Sequence, residues 1–102
     1  MIISQSKELR GFVLNMCKVN YPHGCSEQLI QTTAEQNQFD VSTGLIAGHI
    51  EYLEEKGYVR VDEIKNNRLK IVRKMVYITA KGIDLLEGNI PEDPGVLTIP
   101  EE

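Results

Sequence analysis

The stretch YVRVDEIKNNRLKIVRKMVYI, residues 58–78, determines how the rest of this 102-residue chain is interpreted. Its two ends, YVRVDEI and IVRKMVYI, are rich in β-branched and aromatic residues, which favour extended strands. The four residues KNNR between them are typical of a turn, because asparagine tolerates the left-handed backbone conformation that tight turns require. The stretch therefore predicts a β-hairpin.

Positive charge is concentrated in this hairpin. Residues 60–74 contain six basic and two acidic residues, a net charge of +4 in a chain whose total is −4. The basic residues are Arg60, Lys65, Arg68, Lys70, Arg73 and Lys74. Four acidic residues fall instead in the last fourteen positions, which contain no base. The basic cluster favours contact with phosphate groups, although cations that protect an edge strand from aggregation would give the same pattern.

The segment before the hairpin predicts a helix that ends at Gly57, where glycine permits the left-handed conformation that stops a helix. Ser42 is expected to cap its start, with Val41 and Ile46 forming a hydrophobic staple. Helical spacing places Ile46, His49, Ile50 and Leu53 on the inward face. The outward face carries Gly44, Ala47, Gly48, Glu51 and Glu55. This helix therefore exposes small and acidic residues.

Three more helices follow from apolar spacing and capping residues. A first helix over residues 6–19 is predicted by the stripe Leu9, Phe12, Val13, Met16 and Cys17. A second begins after Ser26 as N-cap and turns Leu29, Ile30 and Thr33 inward. A last helix begins after Thr79 and is closed by Gly88.

The predicted order is three helices, a β-hairpin, a fourth helix and an extended C-terminal tail. We expect an α+β fold, mainly α-helical, with one domain over residues 1–88 and an acidic, proline-containing tail over residues 89–102. The tail holds Ile90, Val96, Leu97 and Ile99, which are too apolar for a free terminus. Residues 90–99 are therefore expected to pack against the body or a second subunit.

This order, with YLEEKGYV leading into the hairpin and YITAKGIDLLE leaving it, resembles bacterial winged-helix regulators over residues 9–86. The segments LRGFVLNM, VSTGLIAGHIEYLEEKGYV and DPGVLTIP are similar to small winged-helix proteins of Mu-like prophages. The resemblance implies a winged helix-turn-helix fold, in which the third helix reads DNA and the hairpin is the wing. It also implies a small DNA-binding or transcription-regulatory protein, with double-stranded DNA as its partner.

The outward face of the third helix lacks the long polar side chains that normally read base edges in the major groove. DNA contact is therefore expected at the positive end of that helix, through Ser42 and Thr43, and at the wing. The wing residues expected to touch DNA are Lys65, Asn66, Asn67, Arg68 and Lys70, with the two asparagines at the tip.

Gly44, Ala47 and Gly48 form a bare strip on the third helix. Two glycines inside a helix cost about 1 kcal/mol each relative to alanine, so a close approach by another backbone would explain them. That backbone is a DNA strand or a partner helix. The alternative is that both glycines are tolerated surface positions without a role.

A second function class stays open beside DNA binding. The small-residue face of the third helix, or the apolar tail, would also suit a protein-interaction or homodimerisation module that does not bind DNA. A salt-sensitive affinity for mixed duplex DNA would distinguish the two, because phosphate contacts release counterions.

The sequence gives no reason to expect an enzyme, a bound metal or a cofactor. Cys17, His23, Cys25 and His49 lack the spacing of a zinc site, and no phosphate-binding glycine loop or small-molecule site is recognisable. His49 is expected to be a core or interface residue. No long apolar run or signal peptide is present, so a cytoplasmic location without membrane association or a disulfide is expected.

Overall fold

A computed structural model describes residues 3–41 and 44–98 of the chain. Within these residues the fold is α+β, with four helices and a three-stranded antiparallel sheet. The elements in chain order are α1 (Ile3–Val19), β1 (Cys25–Ser26), α2 (Glu27–Gln36), α3 (Leu45–Glu55), β2 (Val59–Asn66), β3 (Ile71–Ile78) and α4 (Ala80–Glu87). The first helix begins three residues before the predicted position, because no proline or glycine interrupts it there.

The sheet has the order β1-β3-β2, and β2 and β3 form the predicted hairpin. Its register pairs Val59 with Ile78 at the base and Asn66 with Ile71 at the far end. The turn therefore covers residues 67–70, and the predicted turn KNNR was placed two residues too early. Strand pairing continues through Asn66 because its side chain closes the loop, with Oδ1 accepting hydrogen bonds from two backbone N–H groups.

Side-chain caps define the starts of α2 and α4, as predicted. Ser26 Oγ accepts a hydrogen bond from the N–H of Leu29 at 3.0 Å, and Thr79 Oγ1 accepts one from the N–H of Gly82 at 3.2 Å. Each cap satisfies an N–H group that has no partner inside its own helix. Gly88 has a φ of +78° and ends α4, which is also confirmed.

The start of α3 differs from the prediction. Gly44 is the N-cap of this helix and has a φ of +86°, so it lies before the helix rather than inside it. The predicted cap, Ser42, lies outside the described residues. The end of α3 is as predicted, since Gly57, with a φ of +84°, follows the C-cap residue Lys56. Its four predicted inward residues, Ile46, His49, Ile50 and Leu53, are all buried.

The core lies between the helices and the inner face of the sheet. Its fully buried side chains include Leu9, Val13, Leu14, Cys17, Cys25, Ile30, Leu53 and Val76. The prediction for α2 was partly wrong: it buries Ile30 and Ala34, whereas Leu29 is 48% exposed. Thr33 is half-buried, and its hydroxyl donates to the carbonyl of Leu29 on its own helix.

The segment after α4 packs on the body over part of its length. Val96 is buried, and Ile90 packs against the core. The backbone N–H of Leu97 donates to the carbonyl of Lys7 on α1 at 3.1 Å, while the side chain of Leu97 stays half exposed. The carbonyl of Leu97 lies against Gly11, where any side chain would collide with it. Packing was thus predicted correctly for Val96 but not for the side chain of Leu97, and Ile99 lies outside the described residues.

Candidate nucleic-acid interface

The outer part of the hairpin, which we call the arm, comprises residues 62–74. The base of the hairpin belongs to the core, with Val59, Val76 and Ile78 buried. Every residue of the arm is exposed. Strand β1 pairs with β3 only at the base, through Cys25 with Val76 and Ser26 with Met75. The arm is therefore a two-stranded ribbon whose two faces are both open to solvent.

The charge of the arm is only weakly compensated within the hairpin. Glu63 Oε2 lies 3.9 Å from Lys65 Nζ, with both side chains about half exposed. Where the arm begins, Asp62 Oδ2 lies 3.4 Å from the exposed Arg60. Exposed pairs of this kind contribute at most about 1 kcal/mol and are screened by salt. The excess positive charge is thus available to an anionic partner.

Backbone geometry fixes the tip of the arm. Asn66 Oδ1 accepts hydrogen bonds from the N–H groups of Arg68 at 3.1 Å and Leu69 at 3.2 Å. Lys70 has a φ of +53° and closes the loop. The structure brings the predicted site residues Lys65, Asn66, Asn67, Arg68 and Lys70 together, all of them exposed. The side-chain oxygen of Asn66 is engaged in the loop, so this residue shapes the tip.

The predicted contact strip on α3 is open. A Cβ atom added to Gly44 or Gly48 would meet nothing within 4 Å. The backbone of Gly44 is left-handed, which is sufficient to explain a glycine there. Gly48 lies within the helix and is exposed, and Ala47 beside it is half-buried. No contact within the described chain explains Gly48. Ser42 and Thr43, the other predicted contacts at this end of α3, lie outside the described residues.

Sequence reasoning missed a cluster around Arg10 that holds α1, α3 and the C-terminal segment together. The Arg10 guanidinium carbon lies 3.9 Å from the ring centroid of Tyr52. Its Nε donates to His49 Nδ1 at 3.2 Å, and one terminal nitrogen donates to the carbonyl of Gly95 at 3.1 Å. These contacts join residues as far as 85 positions apart. Local periodicity carries no signal for them.

His49 is buried, as predicted for a core residue. Because Nδ1 accepts a hydrogen bond from Arg10, the neutral ring carries its proton on Nε2, which is buried without a hydrogen-bond partner. Burial and the neighbouring Arg10 charge both lower the pKa of His49. The side chain is therefore held in its neutral form.

Cys17 and Cys25 are free, buried thiols. Burial and the adjacent Cys25 raise the pKa of Cys17 to about 12, and burial also raises the pKa of Cys25. Both stay protonated at neutral pH, and a protonated thiol is a poor nucleophile and metal ligand. Across residues 3–41 and 44–98, no three His, Cys, Asp or Glu side chains lie close enough to hold a metal ion.

An open cleft of about 350 Å³ lies between the start of α2 and strand β3, at the side of the arm. It is lined by Ser26, Glu27, Gln28, Gln31, Val72, Arg73 and Lys74. Arg73 and Lys74 thus line this cleft from the arm, and the acidic Glu27 lines it from α2.

None of the described helices has both the length and the apolar character needed to cross a membrane. Comparison of the chain with models of protein families gives no match. Comparison with curated proteins also gives no match.

Proposed function

We propose that this protein binds double-stranded DNA as a small winged helix-turn-helix protein of the prophage regulatory type. The element order supports this proposal: three helices precede a hairpin, and the short strand β1 between the first two joins the sheet beside β3. In that arrangement α2 and α3 form the helix-turn-helix pair, and the β2-β3 hairpin is the wing.

The exposed basic arm is the single observation that carries the proposal. Its lysines and arginines lie on a ribbon with no other packing role, and its tip is fixed by the bonds to Asn66. Lysine and arginine side chains on such a ribbon bind phosphates and release condensed counterions, which supplies most of the affinity in non-specific DNA binding. The arm would therefore place the protein on the duplex backbone.

Helix α3 allows the DNA backbone to come close to the protein but does little to recognise bases. Gly48 and Ala47 allow a sugar-phosphate strand to approach the helix backbone, and no long side chain projects from these two positions. The acidic residues Glu51, Glu54 and Glu55 lie toward the end of α3 that leads into the hairpin, away from its N-terminal end. We therefore expect affinity to depend strongly on salt and only weakly on base sequence.

Fluorescence anisotropy tests this proposal with the full chain and a labelled mixed-sequence duplex at salt concentrations from about 50 to about 200 mM. If three to five side chains of the arm contact phosphates, a plot of log affinity against log salt concentration should have a slope of about −2.7 to −4.5. No binding at the lowest salt, or binding that does not respond to salt, would contradict it.

An interaction with a second copy or another protein is the other candidate function, and one surface favours it. At the end of α1, Val19 is 84% exposed and the following Tyr21 is 57% exposed. Phe12 and Met16 lie half-buried along the same helix and line a shallow apolar groove with Val19. Sedimentation of the full chain tests this candidate: a dimer that Val19→Ser converts to monomer would support it, and a monomer at all concentrations would contradict self-association.

A further inference from the structure

Leu69 is the most exposed of the large apolar residues in the arm. It lies in the four-residue loop at the tip, and 63% of its surface is exposed. Its neighbours in the chain are Arg68 and Lys70, both exposed cations. An apolar side chain at the end of a solvated ribbon gains nothing from folding, because its surface stays in water. Its burial must come from a partner if it is to stabilise anything.

Hydrogen bonds and a left-handed residue hold the backbone of the loop around Leu69 in one conformation. The N–H of Leu69 is held at 3.2 Å by Asn66 Oδ1, which also holds the N–H of Arg68. The left-handed conformation of Lys70 then returns the chain to β3. Because the backbone is already ordered, binding through Leu69 would not incur the entropy cost of fixing a flexible loop.

The surroundings of Leu69 indicate the chemistry of the partner. Lys65, Arg68 and Lys70 surround the tip with positive charge, so the surface that covers Leu69 is anionic at its edges and apolar at its centre. The minor groove of DNA has phosphates along both walls. Its floor carries hydrogen-bonding groups, but the faces of two neighbouring base pairs offer apolar surface once the step between them opens. Apolar side chains that enter the minor groove separate stacked base pairs and bend the duplex.

We infer that Leu69 is an apolar wedge that enters the minor groove, while Arg68 and Lys70 hold the phosphates on its two sides. The inference rests on the proposed DNA binding and adds how the wing engages the duplex. Separation of base pairs is easiest at pyrimidine–purine steps such as TA. The protein would therefore prefer duplexes with a central TA step by deformability, without a hydrogen bond to any base.

The test compares the parent chain with Leu69→Ala, and with Val72→Ala as a matched control. Val72 is an exposed apolar residue of the same arm, 58% exposed, but it lies in β3 and not at the tip. Energy transfer between dyes at the two duplex ends measures bending. Anisotropy measures affinity for a duplex with a central TA step and for one with only G·C pairs.

The parent and Val72→Ala should bend the TA duplex and bind it more tightly than the G·C duplex. Leu69→Ala should lose the bend and the preference, while its affinity for the G·C duplex changes less than about threefold because phosphate contacts remain. Leu69→Phe keeps an apolar wedge and should retain the bend. Circular dichroism verifies that each variant is folded.

Four results would overturn the inference. If the parent binds DNA but neither bends it nor prefers the TA duplex, the wedge is wrong while the proposed function stands. The wedge is also wrong, and the proposed function again stands, if Leu69→Ala bends DNA as the parent does. If Leu69→Ala keeps the bend and loses self-association in sedimentation, Leu69 serves a protein contact. If the parent binds no DNA even at low salt, the proposed function and the wedge fail together.

Discussion

The hydroxyl of Tyr58 donates a 2.6 Å hydrogen bond to Asp93 Oδ2, joining the residue before β2 to the segment that follows α4. Asp93 is buried, and it also accepts the N–H of Gly95 at 2.8 Å and lies 3.2 Å from Lys56 Nζ. Burial opposes its ionisation, but these three donors outweigh burial and hold the pKa of Asp93 below its usual value. The C-terminal segment is thereby fastened to the base of the hairpin.

Removing this hydroxyl should destabilise the fold. Tyr58→Phe is expected to lower the free energy of unfolding by about 1.5–3 kcal/mol, because a buried carboxylate loses a charge-assisted hydrogen bond. Urea denaturation measures the change. Tyr21→Phe is the control, since the side chain of Tyr21 is more than half exposed. Equal stability of the two variants would show that the bond to Asp93 contributes nothing.

Burial of neutral His49 predicts that the protein loses stability in mild acid. The folded pKa is lowered from 6.5, so below that pH the unfolded chain takes up a proton that the folded chain excludes. Stability is therefore full above pH 6.5 and falls as the pH drops toward the folded pKa. The loss from this residue therefore grows as the pH falls from about 7.5 to about 5.5.

Urea denaturation at the two pH values measures this loss, and His49→Gln should reduce it. His23→Gln is the control, because His23 is exposed. Asp93 adds a separate loss at lower pH, since a carboxyl group with a lowered pKa stabilises the fold only until it is protonated. If the parent and His49→Gln lose the same stability, His49 titrates alike in both states and this explanation is wrong.

Replacement of Gly44 and of Gly48 by alanine should change the free energy of unfolding in opposite directions. Gly48→Ala is expected to raise the free energy of unfolding by about 1 kcal/mol, because the helix interior favours alanine and the site is open. Gly44→Ala should lower it by about 1 kcal/mol, because alanine is strained at positive φ. Thermal unfolding compares the variants. The same sign for both would contradict the placement of Gly44 outside α3.

The larger change Gly48→Leu tests the contact proposed for α3. A leucine there should weaken DNA binding, because it would hold the duplex backbone away from the helix. Anisotropy on mixed duplex measures the effect, and Gly48→Ala, which leaves the charge unchanged and adds only a methyl group, is the control. If Gly48→Leu binds DNA as tightly as the parent, the glycine is a tolerated surface position.

Because the C-terminal segment packs on the body through only some of its side chains, substitutions at the neighbouring residues Val96 and Leu97 should differ in their cost to stability. Val96 is 4% exposed and Leu97 is 50% exposed. Val96→Ser should lower the free energy of unfolding by about 1.5–3 kcal/mol through lost apolar burial, and Leu97→Ser should cost clearly less. Neither change alters the charge. If Val96→Ser melts at the temperature of the parent, the segment does not pack on the body in solution.

Local rules predicted most of the secondary structure. Ser26 and Thr79 cap their helices as expected, and spacing alone identified Ile46, His49, Ile50 and Leu53 as the buried face of α3. These features depend on residues three or four positions apart, which a sequence shows directly. The hairpin was also predicted from local composition, but its turn lies two residues later than predicted, after Asn66, whose side chain bonds to the loop.

Features that depend on distant residues were not predicted. Arg10 is one of several charged residues in α1, and nothing near it in the sequence indicates that it contacts Tyr52, His49 and Gly95. Asp93 was counted only as one of the acidic residues of the tail, whereas it is buried and accepts a hydrogen bond from Tyr58. Leu69 was overlooked because an exposed apolar residue has no periodic signature. Such contacts follow from the packing of the folded chain and not from local spacing.

The central claim is that the arm binds duplex DNA through its charge, and charge reversal tests it most directly. Salt-dependent anisotropy compares the parent with a variant that combines Lys65→Glu, Arg68→Glu and Lys70→Glu. The control, Lys65→Arg with Arg68→Lys and Lys70→Arg, keeps every charge. The reversed variant should lose more than about tenfold in affinity and reduce the salt slope by about 3, while the control binds as the parent does. A folded reversed variant with unchanged affinity and salt slope would contradict the claim.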